Sequence, residues 1–147
     1  MKITVEKANA SDISFIASLE KDTFSMPQSE GELTKMLSSE TNILLVAKCD
    51  GERAGYIGAY TVCRESDIVT VAVSNAFRRK GIAKALLNAL FEALSGESDV
   101  LFLEVRESNV PARALYGGMG FCEIGVRKGY YKNPSENAVL YKRELKF

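Results

Sequence analysis

A cationic stretch just ahead of an amphipathic segment is the first feature of the sequence that could do chemistry. Four basic side chains surround Gly81, and no acidic residue occurs between Asp67 and Glu92. A helix N-terminus already carries partial positive charge, so each cation placed there costs about 0.3–1 kcal/mol. The pattern favours an anion held by amide N–H groups and basic side chains, with a solvated basic turn as the alternative. The cations are Arg78, Arg79, Lys80 and Lys84.

A carboxylate inside an apolar segment is the second such feature. Glu104 interrupts the run Val100-Leu-Phe-Leu-Glu-Val, where a charge is costly without a partner or water. Partial burial strengthens a carboxylate as a base, so Glu104 could accept a proton in a reaction. The alternative is a carboxylate at the wet end of a strand, paired with Arg106 or another neighbour.

The composition restricts the classes of function. The chain has 147 residues with 19 Lys+Arg, 19 Asp+Glu and no His, so its formal net charge is zero. This length fits one domain over residues 1–147. A neutral chain that is 46% hydrophobic is neither disordered nor a uniformly basic nucleic-acid binder. Without His, acid–base chemistry falls to Glu, Asp, Tyr, Lys, Cys or a terminus, and we expect no metal site.

The cysteines and the apolar runs indicate a reducing, aqueous compartment. Cys49, Cys63 and Cys122 are odd in number and form no CxxC motif, so neither a disulfide framework nor a zinc site is indicated. The longest apolar run, 43–47, is far too short to span a membrane, and the first residues contain no apolar signal segment. We expect a cytoplasmic protein with free thiols, and a buried packing role for Cys122.

Periodicity and turn signals predict the elements that carry these residues. Ser11 can cap a helix, and Ser29 and Glu32 have the spacing of a capping box. Asp50-Gly51 is a hairpin turn signal, and Gly96 ends an amphipathic helix. The predicted strands are 3–7, 42–48, 53–62, 67–73, 99–105, 121–126 and 138–142, and the predicted helices follow Ser11 and Ser29 and cover 81–95 and 109–119.

The order β-α-α-β-β-β-α-β-α-β-β predicts an α/β fold with a mixed sheet. Helical crossovers make neighbouring strands parallel, and hairpins make them antiparallel. Segment 99–105 is apolar on both faces, so we expect it near the centre of the sheet. The cationic stretch then lies between a buried strand and a helix. There Gly81 allows the backbone to approach a ligand closely, and the small side chain of Ala83 takes little space at the next helical turn.

The cationic stretch matches neither common nucleotide motif, because GxxxxGK[ST] and GxGxxG are both absent. Arg78-Arg-Lys-Gly81-Ile-Ala83 instead resembles the [QR]-x-x-G-x-[GA] pyrophosphate loop of the GNAT family of acetyl-CoA-dependent N-acetyltransferases. Downstream motifs resemble the RimI-type branch, the ribosomal-protein alanine N-acetyltransferases, and the resemblance covers essentially the whole chain. These motifs are Leu103-Glu-Val-Arg-Glu-Ser-Asn109, Ala114-Leu-Tyr116, Gly120-Phe121, Arg127, Tyr130 and Tyr131.

The resemblance implies a GNAT fold of about seven strands and about four helices. Its mostly antiparallel sheet would split between the fourth and fifth strands and hold acetyl-CoA in the split. The pyrophosphate would lie on the cationic loop, and the pantetheine arm would lie against the fourth strand and Asn109. The implied cofactor-binding residues are Val71, Ala72, Val73, Arg78, Arg79, Lys80, Gly81, Ile82, Ala83, Lys84 and Asn109.

The resemblance also implies the catalytic roles. Glu104 would be the general base, and Tyr116 the general acid beside the CoA sulfur, although most helical tyrosines are core residues. Tyr130 and Tyr131 would line the peptide side, and a backbone N–H within 71–73 would donate to the oxyanion. Direct attack in a ternary complex needs no nucleophile such as Cys122.

Amine chemistry narrows the acceptor. An α-amino group has a pKa near ~8 and a lysine near ~10.4, so at neutral pH one modest carboxylate suffices for an α-amine. With the resemblance, this favours the N-terminal α-amine of a protein, namely a ribosomal-protein alanine. The alternatives are a small amine or a lysine side chain, or a CoA-binding sensor without turnover. We expect no nucleic-acid or membrane partner, and a monomer or weak dimer.

Two positions depart from the RimI pattern. Pro27-Gln28-Ser29 stands where RimI-type chains often have Pro-Trp-Ser, in a loop that shapes the acceptor side, so the peptide preference is less defined than cofactor binding. Arg78 stands where many relatives have Gln, and either side chain can donate to phosphate.

Overall fold

The computed structural model describes residues 1–145, and its elements follow the predicted order. The strands are β1 (Ile3–Lys7), β2 (Asn42–Cys49), β3 (Glu52–Val62), β4 (Glu65–Val73), β5 (Val100–Arg106), β6 (Cys122–Tyr131) and β7 (Glu136–Glu144). The α-helices are α1 (Ile13–Thr23), α2 (Glu30–Ser38), α3 (Ile82–Leu94) and α4 (Val110–Gly118). The predicted α/β class, with its strands and helices in that order, is confirmed.

One sheet contains these seven strands, in the order β1-β2-β3-β4-β5-β7-β6. Every pair is antiparallel except β4 and β5, which are joined through α3. Their pairing runs only from Glu65 opposite Val100 to Asp67 opposite Phe102. Beyond those residues the two strands part, so the predicted split between the fourth and fifth strands is confirmed.

Helices cover both faces of the sheet, and the alternation of side chains along a strand explains how. In β2, Leu44 and Val46 pack with α1 and α2, whereas Leu45 and Ala47 pack with α3. Full burial of each large apolar side chain contributes roughly 1.5–3 kcal/mol, so the buried stripe of α3 fixes that helix firmly on the sheet. The stripe consists of Ile82, Leu86, Leu87, Leu90, Phe91 and Leu94.

The capping predictions differ in outcome. Ser11 does not cap the first helix, because Asn9 accepts the N–H of Ser11 and begins a 3₁₀ turn over Ala10–Asp12 that leads into α1. Ser29 and Glu32 form the predicted capping box of α2. The correction at Ser11 moves the start of the helical region without changing the face that α1 buries.

The prediction for Cys122 is wrong, because this residue is exposed. It begins β6, an edge strand that pairs with β7 alone. The three cysteines, all within the described residues, are free thiols. No helix within residues 1–145 is long and apolar enough to cross a membrane.

Candidate active site

The cationic loop connects β4 to the N-terminus of α3. Gly81 is the N-cap of α3 and has φ of 82°, a left-handed conformation that favours glycine. In the part of the chain that the structure describes, no side chain caps this helix, and its first turn contains no acidic residue. The first helical hydrogen bond runs from Ala85 N–H to the Gly81 carbonyl at 3.0 Å, which leaves the amides of residues 82–84 without helical partners.

The four cations of this loop are not neutralised by carboxylates. Within residues 1–145, Arg78, Arg79, Lys80 and Lys84 form no ion pair, and all four are exposed. Arg78 donates a long hydrogen bond, at 3.5 Å, from Nε to the carbonyl of Val73. Uncompensated cations and free amides at one helix N-terminus form an anion-binding arrangement.

The loop leaves space for an anion to come close to the backbone. A Cβ added at Gly81 would meet no atom within 4 Å, so the side-chain direction is open. Ile82 is 2% exposed, so its side chain packs in the core while its N–H remains at the helix terminus. The residues fit a pyrophosphate group, and those that could hold it are Arg79, Lys80, Gly81, Ile82, Ala83 and Lys84.

A cavity of about 420 Å³ opens beside the point where β4 and β5 part. Its walls come from β3, β4, β5, β6 and β7. Apolar side chains form about half of the lining, and the polar members of the lining are Tyr60, Asp67, Glu104, Arg127, Tyr130, Tyr131 and Tyr141.

Glu104 reaches this cavity because of the alternation along β5. Leu101, Leu103 and Val105 are buried in the core beneath α3, whereas Glu104 is only partly buried. Its side chain is 30% exposed, and Oε1 lies 3.5 Å from Nη1 of Arg127. Glu104 therefore forms an ion pair with Arg127, and not with Arg106.

Arg106 instead ties the turn between β6 and β7 to β5. Its guanidinium donates to the carbonyls of Pro134 at 2.9 Å and Lys132 at 3.0 Å, and it pairs with Glu136 at 3.3 Å. The same group lies 4.6 Å from the ring centroid of Tyr131. Arg106 thereby holds Tyr131 at the wall of the cavity.

Tyr116 is a core residue that is not among the described residues lining the cavity, and it interacts electrostatically with Tyr131. Tyr116 is 8% exposed on α4, and its ring packs against Phe121 and Tyr141. Burial raises the pKa of Tyr116 to about 12, and the Tyr131 hydroxyl adds to this effect. Burial, followed by the charge of Glu104, raises the pKa of Tyr131 to about 12. Both hydroxyls are therefore protonated at neutral pH, and electrostatic interactions connect Tyr116 to Tyr131 and Tyr131 to Glu104.

Tyr130 completes this wall. Its ring lies 5.1 Å from that of Tyr131 in an edge-to-face contact and 5.0 Å from the guanidinium of Arg127. Hydrogen bonding to Glu104, followed by burial, raises the pKa of the Tyr130 hydroxyl. The structure thus brings both predicted substrate-side tyrosines next to Glu104.

The remaining predicted cofactor residues border the gap. From residue 68 onward, the side of β4 that faces β5 has no strand partner within the described residues, and this unpaired edge includes Val71, Ala72 and Val73. Asn109 caps α4 by accepting the N–H of Ala112 at 3.2 Å, as the sequence predicts. A contact between Asn109 and pantetheine stays a prediction.

A buried carboxyl group positions the loop that precedes α2. Glu20 is 2% exposed and accepts from the N–H of Gln28 at 2.8 Å and the hydroxyl of Thr70 at 3.2 Å. It also accepts from the hydroxyl of Tyr56, whose pKa is raised mainly by burial. These bonds attach the segment around Pro27 to β3 and β4.

Sequence reasoning did not assign Tyr60 and Asp67, which are polar residues of the cavity, to the site. They lie opposite each other on β3 and β4. The charge of Asp67 raises the pKa of Tyr60, and burial raises the pKa of Asp67, against the effect of its hydrogen bond with Tyr60. An isolated carboxylate at the start of a β-branched strand was the available signal.

Comparisons with known proteins agree with this architecture. A model of the acetyltransferase (GNAT) family matches residues 13–121. A Haemophilus ducreyi ribosomal protein bS18-alanine N-acetyltransferase is 33% identical over 144 residues, which cover 92% of this chain and 96% of that protein. The N-alpha-acetyltransferase RimI of Mycobacterium tuberculosis is 30% identical over 148 residues, covering 97% and 92% of the two chains.

Solved structures show the same fold. The crystal structure of the ribosomal-protein-S18-alanine N-acetyltransferase from Escherichia coli has a TM-score of 0.90 and 26% identity, covering 99% of this chain and 96% of that one. NAA60 from Arabidopsis thaliana, in complex with acetyl-CoA, has a TM-score of 0.88 at 22% identity, covering 97% and 98%. From the family match and these relatives, the chain belongs to the acetyltransferase (GNAT) family and is an N-acetyltransferase.

Proposed function

We propose that this chain transfers the acetyl group of acetyl-CoA to the N-terminal α-amine of a protein, by direct attack in a ternary complex. The observation that carries the proposal is the split sheet, with an anion-binding loop after the end of β4 and the Glu104 cavity beside the point where β4 and β5 part. Relatives named for bS18 alanine support a ribosomal-protein alanine as the acceptor.

The cationic loop would bind the co-substrate. The N–H groups of residues 82–84, with Arg79, Lys80 and Lys84, would hold the diphosphate of acetyl-CoA, and Arg78 would add to the local positive charge. Acetyl-CoA supplies a thioester carbonyl that an amine can attack. The unpaired edge of β4 at 71–73 would offer a backbone N–H to the oxyanion.

Glu104 would accept the proton of the acceptor amine. At pH 7 about one-tenth of an α-amine with a pKa near ~8 is already neutral. A lysine with a pKa near ~10.4 would cost about 3.3 kcal/mol more to deprotonate. A carboxylate is a modest base, which favours the α-amine over the lysine side chain.

Tyr116 would stabilise the leaving sulfur as a hydrogen-bond donor. With its pKa raised to about 12, the hydroxyl is a weaker acid than a thiol near ~8.5. A complete proton transfer to the thiolate would therefore be uphill, whereas a hydrogen bond to the developing charge needs no such transfer. Tyr130 and Tyr131 would contact the acceptor peptide from the Glu104 side.

A release assay for free CoA thiol separates this proposal from its alternatives. Three acceptors are compared. The first is an alanine-initiated peptide, and the second is the same peptide with its N-terminus acetylated and an internal lysine added. The third is a polyamine. Release with the first supports the proposal. Release only with the second or third supports a lysine or small-amine acceptor, and tight CoA binding without release supports a sensor.

A pair of variants tests the base. Glu104→Gln is expected to lower kcat by about 10²–10⁴-fold, the range of general-base catalysis, and to leave the acetyl-CoA KM unchanged. Glu107→Gln removes an exposed carboxylate three residues away and is the matched control. An unchanged kcat in Glu104→Gln would remove Glu104 from this role.

A further inference from the structure

The cavity contains two carboxyl groups, and the proposed reaction uses only one of them. Asp67 lies opposite Phe102, in the last pair before β4 and β5 part. Glu104 is two residues beyond Phe102 and therefore on the same face of β5. Both carboxyl groups line the cavity, and the charge of Glu104 acts on Asp67 and helps to raise its pKa, after the larger effect of burial.

The charge of this cavity is not balanced. Arg127 is the one cation among the described lining residues, and it pairs with Glu104 at 3.5 Å. Within residues 1–145, no cation forms an ion pair with Asp67. The titratable and charged groups that act on Asp67 or share its cavity are Tyr60 from β3, Glu65 on β4, Glu104 from β5, Arg127, Tyr130 and Tyr131 from β6, and Tyr141 from β7.

We propose that Asp67 binds the protonated form of the acceptor amine, so that the cavity recruits its acceptor as an ammonium ion. This role rests on the proposed transfer to an α-amine. Such an amine is about nine-tenths protonated at pH 7, and it enters the cavity before it loses its proton. Glu104 is paired with Arg127, whereas Asp67, which accepts a hydrogen bond from Tyr60, has no cation partner among the described residues, so Asp67 is the carboxylate placed to act as its counter-ion.

The same arrangement favours release of the product. Acetylation converts the ammonium group into a neutral amide, which no longer pairs with a carboxylate. Asp67 therefore binds the substrate more tightly than the product, while Glu104 remains available to take the proton. The two carboxyl groups have separate tasks, recognition of the charged amine and its deprotonation.

The test compares Asp67→Asn with wild type and with Glu65→Gln, which removes an exposed carboxylate two residues away on the same strand. At pH 7 we expect the KM for an alanine-initiated peptide to rise roughly fivefold in Asp67→Asn, with kcat within about threefold and the acetyl-CoA KM unchanged. At about pH 9, where the α-amine is mostly neutral, the ratio of the peptide KM of Asp67→Asn to that of wild type is expected to fall towards one. Asp67→Glu restores the charge and is expected to recover most of the affinity.

A second measurement separates charge recognition from loss of structure. A des-amino peptide, which lacks the α-nitrogen, is expected to inhibit wild type and Asp67→Asn with equal inhibition constants. If Asp67→Asn does not fold, Asp67→Thr replaces the carboxylate with a residue that favours strands, and the same comparison applies.

Three results would overturn the proposal. These are an unchanged peptide KM in the variant, an increase that does not depend on pH, or an equal loss of affinity for the des-amino peptide. Failure of the wild type to acetylate any α-amine would overturn the proposed function itself, so the two failures are distinguishable.

Discussion

Replacing Gly81 with alanine separates the backbone cost of the cationic loop from its contribution to ligand binding. Gly81 has φ of 82°, and an added Cβ would meet nothing within 4 Å. In the protein alone, the cost of Gly81→Ala is therefore only the left-handed conformation, about 1–2 kcal/mol. This corresponds to a fall in Tm of about 3–6 °C for a chain of this size.

Gly96 provides a matched control at the other end of α3. It has φ of 79°, and an added Cβ there would likewise meet nothing within 4 Å. Gly96→Ala is expected to lower Tm by the same amount as Gly81→Ala. The two variants differ only in which helix terminus carries the extra methyl group.

The ligand effect is expected in one variant alone. If the diphosphate of CoA contacts the amides of residues 82–84, the new Cβ at Gly81 occupies the approach path. Loss of one charge-assisted hydrogen bond costs about 1.5–3 kcal/mol, which weakens CoA binding by roughly 10–150-fold. Gly81→Glu adds a negative charge at the same place and is expected to abolish binding.

Isothermal titration calorimetry with CoA measures this difference without any acceptor. We expect a large loss of affinity for Gly81→Ala and wild-type affinity for Gly96→Ala, at equal Tm. Equal CoA affinities in the two alanine variants would show that the diphosphate does not lie at the N-terminus of α3.

The other predictions concern the groups around the split. Arg106→Lys keeps the charge but not the fork that holds the β6–β7 turn, so the peptide KM is expected to rise about 3–10-fold while CoA affinity, measured by calorimetry, stays constant. Glu20→Gln replaces a two-oxygen acceptor with one oxygen and an amide donor, and is expected to lower the free energy of unfolding in urea by about 1–3 kcal/mol. Tyr116→Phe is expected to reduce kcat at least tenfold, measured at saturating substrates, with little change in either KM. Because the pKa of Tyr116 and of Tyr131 is raised to about 12, the folded state retains protons that the unfolded chain releases near pH ~10. The stability they contribute is complete below about pH 10 and declines as the pH rises towards about 12, which urea midpoints across this range would show.

Local signals were sufficient for the elements that carry the cationic loop and the base. The stripe of α3, Gly81 at its start and Gly96 after its end depend on periodicity and on left-handed glycines, which act within a few residues. Glu104 could be recognised as a candidate site residue because a charge inside an apolar strand is costly unless it is paired or hydrated. The capping box at Ser29 and the turn at Asp50-Gly51 are equally local.

Features that depend on how the strands pair could not be predicted from these local signals. The predicted last strands, 121–126 and 138–142, are shorter than β6 and β7, because polar residues at 127–131 do not alternate and pair across irregular register shifts. The partners of Glu104 and Arg106 follow from the same register. Cys122 is exposed because β6 lies at the edge of the sheet.

The acceptor side of the site depends on the split itself. Asp67 and Tyr60 meet Glu104 only because β4 and β5 pair over three residues and then diverge. Nothing in the spacing of these residues along the chain indicates that they share a cavity. Asn9 and Ser11 are both good capping residues, and only the backbone geometry distinguishes which one acts.

A crystal structure of the chain with CoA and an alanine-initiated peptide would test the central claim most directly. We expect the diphosphate on the amides of residues 82–84, the pantetheine arm along the free edge of β4, and the peptide nitrogen in the cavity beside Glu104 and Asp67. A complex with CoA in another cleft, or with the peptide nitrogen outside this cavity, would contradict it.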